Sequence, residues 1–125
     1  FPEVARLLAL RGAEVLAHPS NLVLPYCQDA MVTRSLENRV FTVTANRFGT
    51  ESLQGTSITF TGRSQIVTPR GERLVTMGVN EEGIRIAEID PAEARDKRGT
   101  GRNDLFADRR VDLWAGLLAP PVKTP

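Results

Sequence analysis

An α+β fold, a sheet covered by helices on one side, is what this chain of 125 residues predicts, and three observations carry the prediction. The first eleven residues repeat apolar side chains at helical spacing and run directly into a short apolar strand. A second helical pattern leads into VFTVTAN, which alternates with the period of two that marks a strand. Strand patterns then follow one another up to residue 89, before a last helix signal at Asp90-Pro91. The order α, β, α, β, about four strands, α fits a layered sandwich of which this chain supplies only part of the sheets.

The opening stretch FPEVARLLALRGAEVLAHPSN justifies the first two elements. Pro2 suits the first turn of a helix, where its missing N–H loses nothing and its fixed φ is already helical. Glu3 beside it favours the positive helix end. Val4, Leu7 and Leu8 form an apolar stripe, Leu10 widens it, and Gly12 supplies the left-handed residue that ends a helix. The spacing predicts a helix over 2–11. Residues 13–17 then read as a short buried strand closed by Pro19. A helix feeding a buried parallel strand ordinarily follows a parallel partner strand, and no such strand stands ahead of Phe1 here.

After the loop HPSNLVLPYC, Ala30, Met31, Leu36 and Val40 oppose Thr33, Arg34, Glu37 and Asn38, a weakly amphipathic helix over 28–39. VFTVTAN is the strongest strand signal, and FGTESLQGT after it reads as a Gly/Ser/Thr loop. Further strands are expected at 57–61, 64–68, 73–77 and 84–89, mostly antiparallel, with Pro69-Arg70-Gly71 as a turn. Asp90 as N-cap, Pro91 at the first helical position and Glu93 two residues later predict a short helix over 91–97. Beyond Gly99 an extended tail is expected, with a turn of helix within 104–114 and a non-helical end at Ala119-Pro120-Pro121 and Lys123-Thr124-Pro125.

Composition narrows the function classes. Sixteen basic and fifteen acidic residues give a net charge of +1, so no global field attracts nucleic acid. The basic run Arg95-Asp96-Lys97-Arg98, with Arg102 and Arg109-Arg110, is interrupted by Asp104, Asp108 and Asp112 and carries no aromatic interleaving for base stacking. The apolar runs 7–10 and 113–119 fall short of the roughly 18 residues of a membrane span. No membrane and no nucleic-acid partner is expected. Cys27 is the single cysteine, which rules out an internal disulfide and a cysteine-rich metal site and fits a reducing, cytoplasmic setting.

Several stretches together, in this order, resemble the carboxy-terminal half of the nitrilase superfamily, the carbon-nitrogen hydrolases. They are FPEVARLLALRGAEVLAHPSNLV, MVTRSLENRVFTVTANRFGTE, FTGRSQIVTPRGE, IAEIDPAEARDKR and NDLFADRR. The resemblance runs from Phe1 to about Arg110 and is nearest to small amidase and nitrilase members. It implies an α-β-β-α layered sandwich of the nitrilase type with only the carboxy-terminal part present: residues 1–110 a partial hydrolase domain, 111–125 a tail. It also implies a cofactor-independent hydrolase of non-peptide carbon-nitrogen bonds in amide, nitrile or N-carbamoyl substrates, with no metal. In that chemistry a Cys thiolate attacks, a Glu moves protons and a Lys stabilises the oxyanion.

In the family the nucleophile lies a few residues before the FPE motif, which here is residues 1–3. The resemblance therefore places all three catalytic groups upstream of Phe1 and assigns no catalytic residue in this chain. It makes Phe1, Pro2 and Glu3 the start of the helix that follows the nucleophile. His18, Pro19 and Asn21 become lining of the substrate pocket, and Glu37 a supporting carboxylate or a partner of Arg34 or Arg39. The helices 2–11 and 28–39 correspond to those that pack across a homodimer interface. A Cys27–His18 dyad is the alternative site for nucleophilic chemistry, disfavoured because a lone cysteine is ordinarily a small buried apolar group. A non-catalytic remnant serving dimerisation or interaction is the alternative function. Either way, the isolated chain is expected to expose apolar sheet edges and faces and to aggregate or stay partly molten.

Overall fold

The structure, a computed structural model, describes residues 1–120. Its elements are α1 (Pro2–Leu10), β1 (Val15–Ser20), α2 (Cys27–Asn38), β2 (Phe41–Asn46), β3 (Phe48–Leu53), β4 (Thr56–Thr61), β5 (Gln65–Val67) and β6 (Arg73–Thr76). A 3₁₀ turn (Pro91–Arg95), β7 (Arg98–Thr100), β8 (Asn103–Asp104) and a second 3₁₀ turn (Ala115–Leu118) complete it. The α+β class holds. The main sheet has the order β1-β2-β5-β6, with β1 parallel to β2 and the remaining pairs antiparallel.

Both helices end as their sequences require. Gly12, at φ +91, lets its N–H donate to Ala9 O while Ala13 N donates to Leu8 O, which satisfies the last carbonyls of α1. In α2 a non-glycine residue, Arg39, takes the left-handed position at φ 48. Lys97 reaches back to this end, its Nζ donating to Asn38 O at 3.1 Å and to Arg39 O at 2.8 Å. A cation at a helix C-terminus also complements the dipole.

The faces of the sheet follow from register. Leu16, His18 and Ser20 lie beside Thr42, Thr44 and Asn46 on the helix side. Val15, Ala17 and Pro19 lie beside Phe41, Val43 and Ala45 on the other. The helix side is unusually polar: Gln28, Ser35, Asn38, Thr42, Thr44, Asn46 and Gln65 are all buried there, against a small apolar cluster of Ala5, Ala9, Leu16 and Val40. Buried polar groups are tolerated only when paired. Ser35 Oγ shares a 2.8 Å hydrogen bond with Thr42 Oγ1, and Gln65 Nε2 donates to Gln28 O at 2.7 Å.

Several sequence expectations are corrected. Pro19 does not close β1 but sits inside it, opposite Ala45; β1 is an edge strand, where a missing N–H breaks no ladder bond. The expected loop FGTESLQGT is β3 and a turn. Gln54 and Gly55 both have positive φ, the geometry of a two-residue hairpin into β4. Ser and Thr on its exposed surface, paired as Thr50–Thr59 and Ser52–Ser57, hid the alternation. Residues 84–89, expected as a strand, pair with nothing among the described residues. The helix 91–97 is a 3₁₀ turn over Pro91–Arg95, although Asp90 does cap it by accepting from Ala92 N at 2.9 Å.

The expected tail beyond Gly99 is a folded clasp as far as residue 108. Asp104 Oδ1 accepts from Phe106 N and Ala107 N, both at 2.8 Å, and Asp108 Oδ2 accepts from Asp104 N at 2.7 Å. These turns hold the Phe106 ring between two cations, with Arg6 Cζ at 5.2 Å and Lys97 Nζ at 4.9 Å from its centroid. The clasp thereby ties α1 to the end of α2. Replacing Phe106 by Ala is expected to cost about 2 kcal/mol, from lost ring burial and two cation–π contacts. Urea unfolding, in whichever length of polypeptide melts cooperatively, checks this against an Arg102→Ala control that touches no such ring. The expected end at Lys123-Thr124-Pro125 lies outside the described residues.

Candidate functional site

The C-terminal end of β1, the start of α1 and the start of α2 converge on a cleft of about 540 Å³. Its walls are mostly apolar, from Phe1, Val4, Leu8, Leu16, Leu22 and Met31, and its polar groups are His18, Tyr26, Cys27 and Arg34. Topology explains the convergence. A parallel β1–β2 pair with α1 before it and α2 between its strands brings both helix starts to the strand ends, where α/β sheets build sites. No carboxylate is among the lining residues.

The expected site residues divide. His18 and Phe1 line the cleft; Pro19 and Asn21 are exposed and do not. Pro2 and Glu3 form the first turn of α1. Glu37 pairs with Arg34, whose Nη1 donates to its Oε1 at 2.6 Å, and Arg6 Nη2 donates to its backbone O at 2.8 Å. That pair steadies the guanidinium at the cleft wall and links α1 to α2. Cys27 is half-buried at the first position of α2. It faces the same cleft as His18, yet no hydrogen bond joins them among the described residues. His18 Nδ1 is instead engaged with Thr44 Oγ1 at 3.2 Å. No group of three or more His, Cys, Asp or Glu residues suited to a metal occurs among the described residues, and no described helix is long and apolar enough to cross a membrane.

Burial pushes the His18 imidazole below its ordinary value, so the neutral ring is the folded form. The sign is fixed by linkage: the unfolded chain binds the proton more readily, so His18 contributes stability above about pH 6.5 that is lost as pH falls through the window below it. The other titratable or charged lining groups are Tyr26, Cys27 and Arg34. A His18→Gln substitution is expected to flatten this part of the stability–pH curve, read as melting temperature between pH 7 and pH 5. An unchanged slope would show the ring to be indifferent.

The loop after β1 is held by a residue that sequence reasoning missed. Asn46, at the end of β2, accepts from Leu22 N at 2.8 Å through Oδ1. Its Nδ2 donates to Gly62 O at 2.7 Å and to Thr61 Oγ1 at 3.1 Å, and its N–H donates to Ser64 Oγ at 3.0 Å. Gln28 Nε2 donates to the same Gly62 O at 3.0 Å and to Thr61 Oγ1 at 2.7 Å. The signal available in sequence was an Asn ending a strand among β-branched residues, a poor strand former whose side chain is suited to bonding backbone.

The chain matches the family described as carbon-nitrogen hydrolase over residues 1–98. It is 48% identical over 114 residues to a nitrilase of Pyrococcus abyssi, an alignment covering 91% of this chain and 42% of that protein. It is 35% identical over 133 aligned residues to N-carbamoylputrescine amidase of Solanum tuberosum, covering 94% and 43%. Among solved structures, the carbon-nitrogen hydrolase of Helicobacter pylori superposes with a TM-score of 0.75 at 31% identity, covering 95% of this chain and 45% of that one. The chain spans less than half the length of these relatives. With the fold, the convergence of β1, α1 and α2, and these matches in agreement, the chain belongs to the carbon-nitrogen hydrolase family.

Proposed function

We propose that this chain is the carboxy-terminal part of a hydrolase of non-peptide carbon-nitrogen bonds, acting on an amide, nitrile or N-carbamoyl substrate, and that it supplies one wall of the substrate pocket. The observation that carries the reading is the cleft at the end of β1, bounded by the first turn of α1 and walled by His18, Leu22 and Arg34. The nucleophilic Cys, the Glu base and the oxyanion-stabilising Lys then belong to polypeptide preceding Phe1. β1 is an edge strand, and a parallel strand laid on it, crossing into α1 with the usual right-handed sense, would end beside the cleft mouth. A thiolate there would attack the substrate carbon; from an amide or N-carbamoyl substrate the amine or ammonia would depart with a proton from the Glu, whereas a nitrile would give a thioimidate that loses ammonia only after adding water, and a further water would then release the acyl group. No cofactor is required by this chemistry.

Pairing of two subunits through α1 and α2 fits the exposed apolar side chains Val4, Leu7, Leu8 and Leu36, and a cytoplasmic setting fits the single thiol. The test is turnover. The longer polypeptide encoded with these residues should release ammonia from a simple aliphatic amide, a nitrile or an N-carbamoyl amine, while residues 1–125 alone should release none. Equal turnover by the short chain would overturn the assignment. So would inactivity of a folded longer polypeptide toward all three classes.

A further inference from the structure

Beside the start of α2, and sharing no lining residue with the cleft, lies a space of about 250 Å³ walled by Gln28, Asp29, Arg63, Gln65, Arg73 and Thr76. Every one of these side chains is polar, and Gln28 and Gln65 are buried, at 4% and 2% exposure. The Gln28 carboxamide is only half satisfied. Its Nε2 donates to both Thr61 Oγ1 and Gly62 O, which fixes how the group is turned, and its Oε1 is left buried without a partner among the described residues. A buried acceptor costs free energy until a donor meets it.

The cationic groups on the same walls want the opposite. Arg73 Nε donates to Gln65 Oε1 at 2.9 Å and Nη2 to Asp29 Oδ1, which fastens the guanidinium and leaves Nη1 unengaged. Arg63 is exposed, with no acceptor for its guanidinium among the described residues. Its backbone nevertheless holds φ at 56, a left-handed conformation that suits glycine or asparagine better. The twelve-residue α2 has no side-chain cap, and the Gln28 and Asp29 N–H groups have no acceptor among the described residues, so the helix start adds partial positive charge. Asp29 offsets one arginine, and the site stays net positive.

A ligand that satisfies all these groups is an anion that also carries an O–H. We infer that this space binds inorganic phosphate, with its charged oxygens held by Arg63, Arg73 and the start of α2 and its hydroxyl donating to Gln28 Oε1. Sulfate matches phosphate in shape but has no proton to donate, so it would leave the buried acceptor bare.

Isothermal titration calorimetry of the longer polypeptide tests this at about pH 8, where a phosphomonoester is a dianion without a proton. Inorganic phosphate should bind saturably, with sulfate and methyl phosphate at least about 10-fold weaker at equal ionic strength. Arg63→Gln should weaken phosphate by about 10-fold or more. Arg70→Gln, a change outside this space, should leave it unaltered. Absence of saturable phosphate binding would overturn the inference. Equal binding of sulfate or methyl phosphate would reduce it to general anion attraction, and undiminished binding by Arg63→Gln would place the ion elsewhere; either result overturns it as well.

Discussion

Replacing Asn46 by Ala is expected to destabilise the protein by about 3 kcal/mol, because the side chain's removal leaves Leu22 N without its acceptor and takes one donor from Gly62 O. Asn46 is 8% exposed, so water cannot readily take its place. The effect should reach the cleft, since Leu22 lines it and the Asn46 carboxamide fixes that loop. Asn46→Asp separates the two roles: it keeps the acceptor for Leu22 N but turns an oxygen toward Gly62 O. It should be at least as destabilising at neutral pH and should recover as the introduced carboxyl is protonated, because repulsion from the carbonyl raises its folded pKa. A stability loss under about 1 kcal/mol for Asn46→Ala would show that the network is replaceable.

The second large effect is at Gly62, on the other side of the same node. Its φ is +57, and a Cβ added there would lie 2.0 Å from Val79 O and 2.7 Å from Val79 C, both backbone atoms that cannot swing aside. Gly62→Ala therefore combines left-handed strain of roughly 1 kcal/mol with a backbone collision, and about 3–4 kcal/mol is expected in all. Gly55 provides the control: its φ is +81 but a Cβ would meet open space, so Gly55→Ala should cost only the strain, about 1 kcal/mol. Equal losses at the two positions, by urea midpoint, would remove the collision from the account.

How much of this was legible depended on which residue carried the information. Elements whose apolar residues face one surface were readable: α1 starts at Pro2 and stops at Gly12, and β2 begins within a residue of its expected start. In β3, which exposes nearly all its residues, no alternation of polarity exists to read, and only the positive φ of Gln54 and Gly55 reveals the turn into β4, a strand that was expected. Pro19 misled because the rule that proline stops a strand fails at a sheet edge. Residues 84–89 carry the local signature of a strand, but pairing is a tertiary fact, and no strand pairs with them among the described residues. The part of the clasp beyond Gly99, as far as residue 108, was read as a tail because its order comes from Asp104 and Asp108 bonding backbone N–H groups, a pattern with no periodicity. At the site, His18 and Phe1 line the cleft, while Asn46 and Gly62, which hold that wall, spoke only through partners distant in sequence.

The polar interior explains why the chain tolerates so small an apolar core. Hydrogen bonds from Ser35, Gln28 and Gln65 tie α2 to β2, β4 and β5, and one from Asn46 ties β2 to β4, where aliphatic packing would ordinarily do so. Such networks specify geometry strongly and fail abruptly when one member is lost. Gln28 Oε1 and Asn38 Oδ1 are buried without a hydrogen-bond partner among the described residues.

The assignment of the nucleophile is tested most directly by locating the covalent intermediate. The longer polypeptide, exposed to an electrophilic amide such as a haloacetamide, digested and mapped by mass spectrometry, should carry the adduct on a cysteine in the residues preceding Phe1, with Cys27 unmodified. An adduct on Cys27 that accompanies loss of turnover, with every upstream cysteine free, would contradict the account.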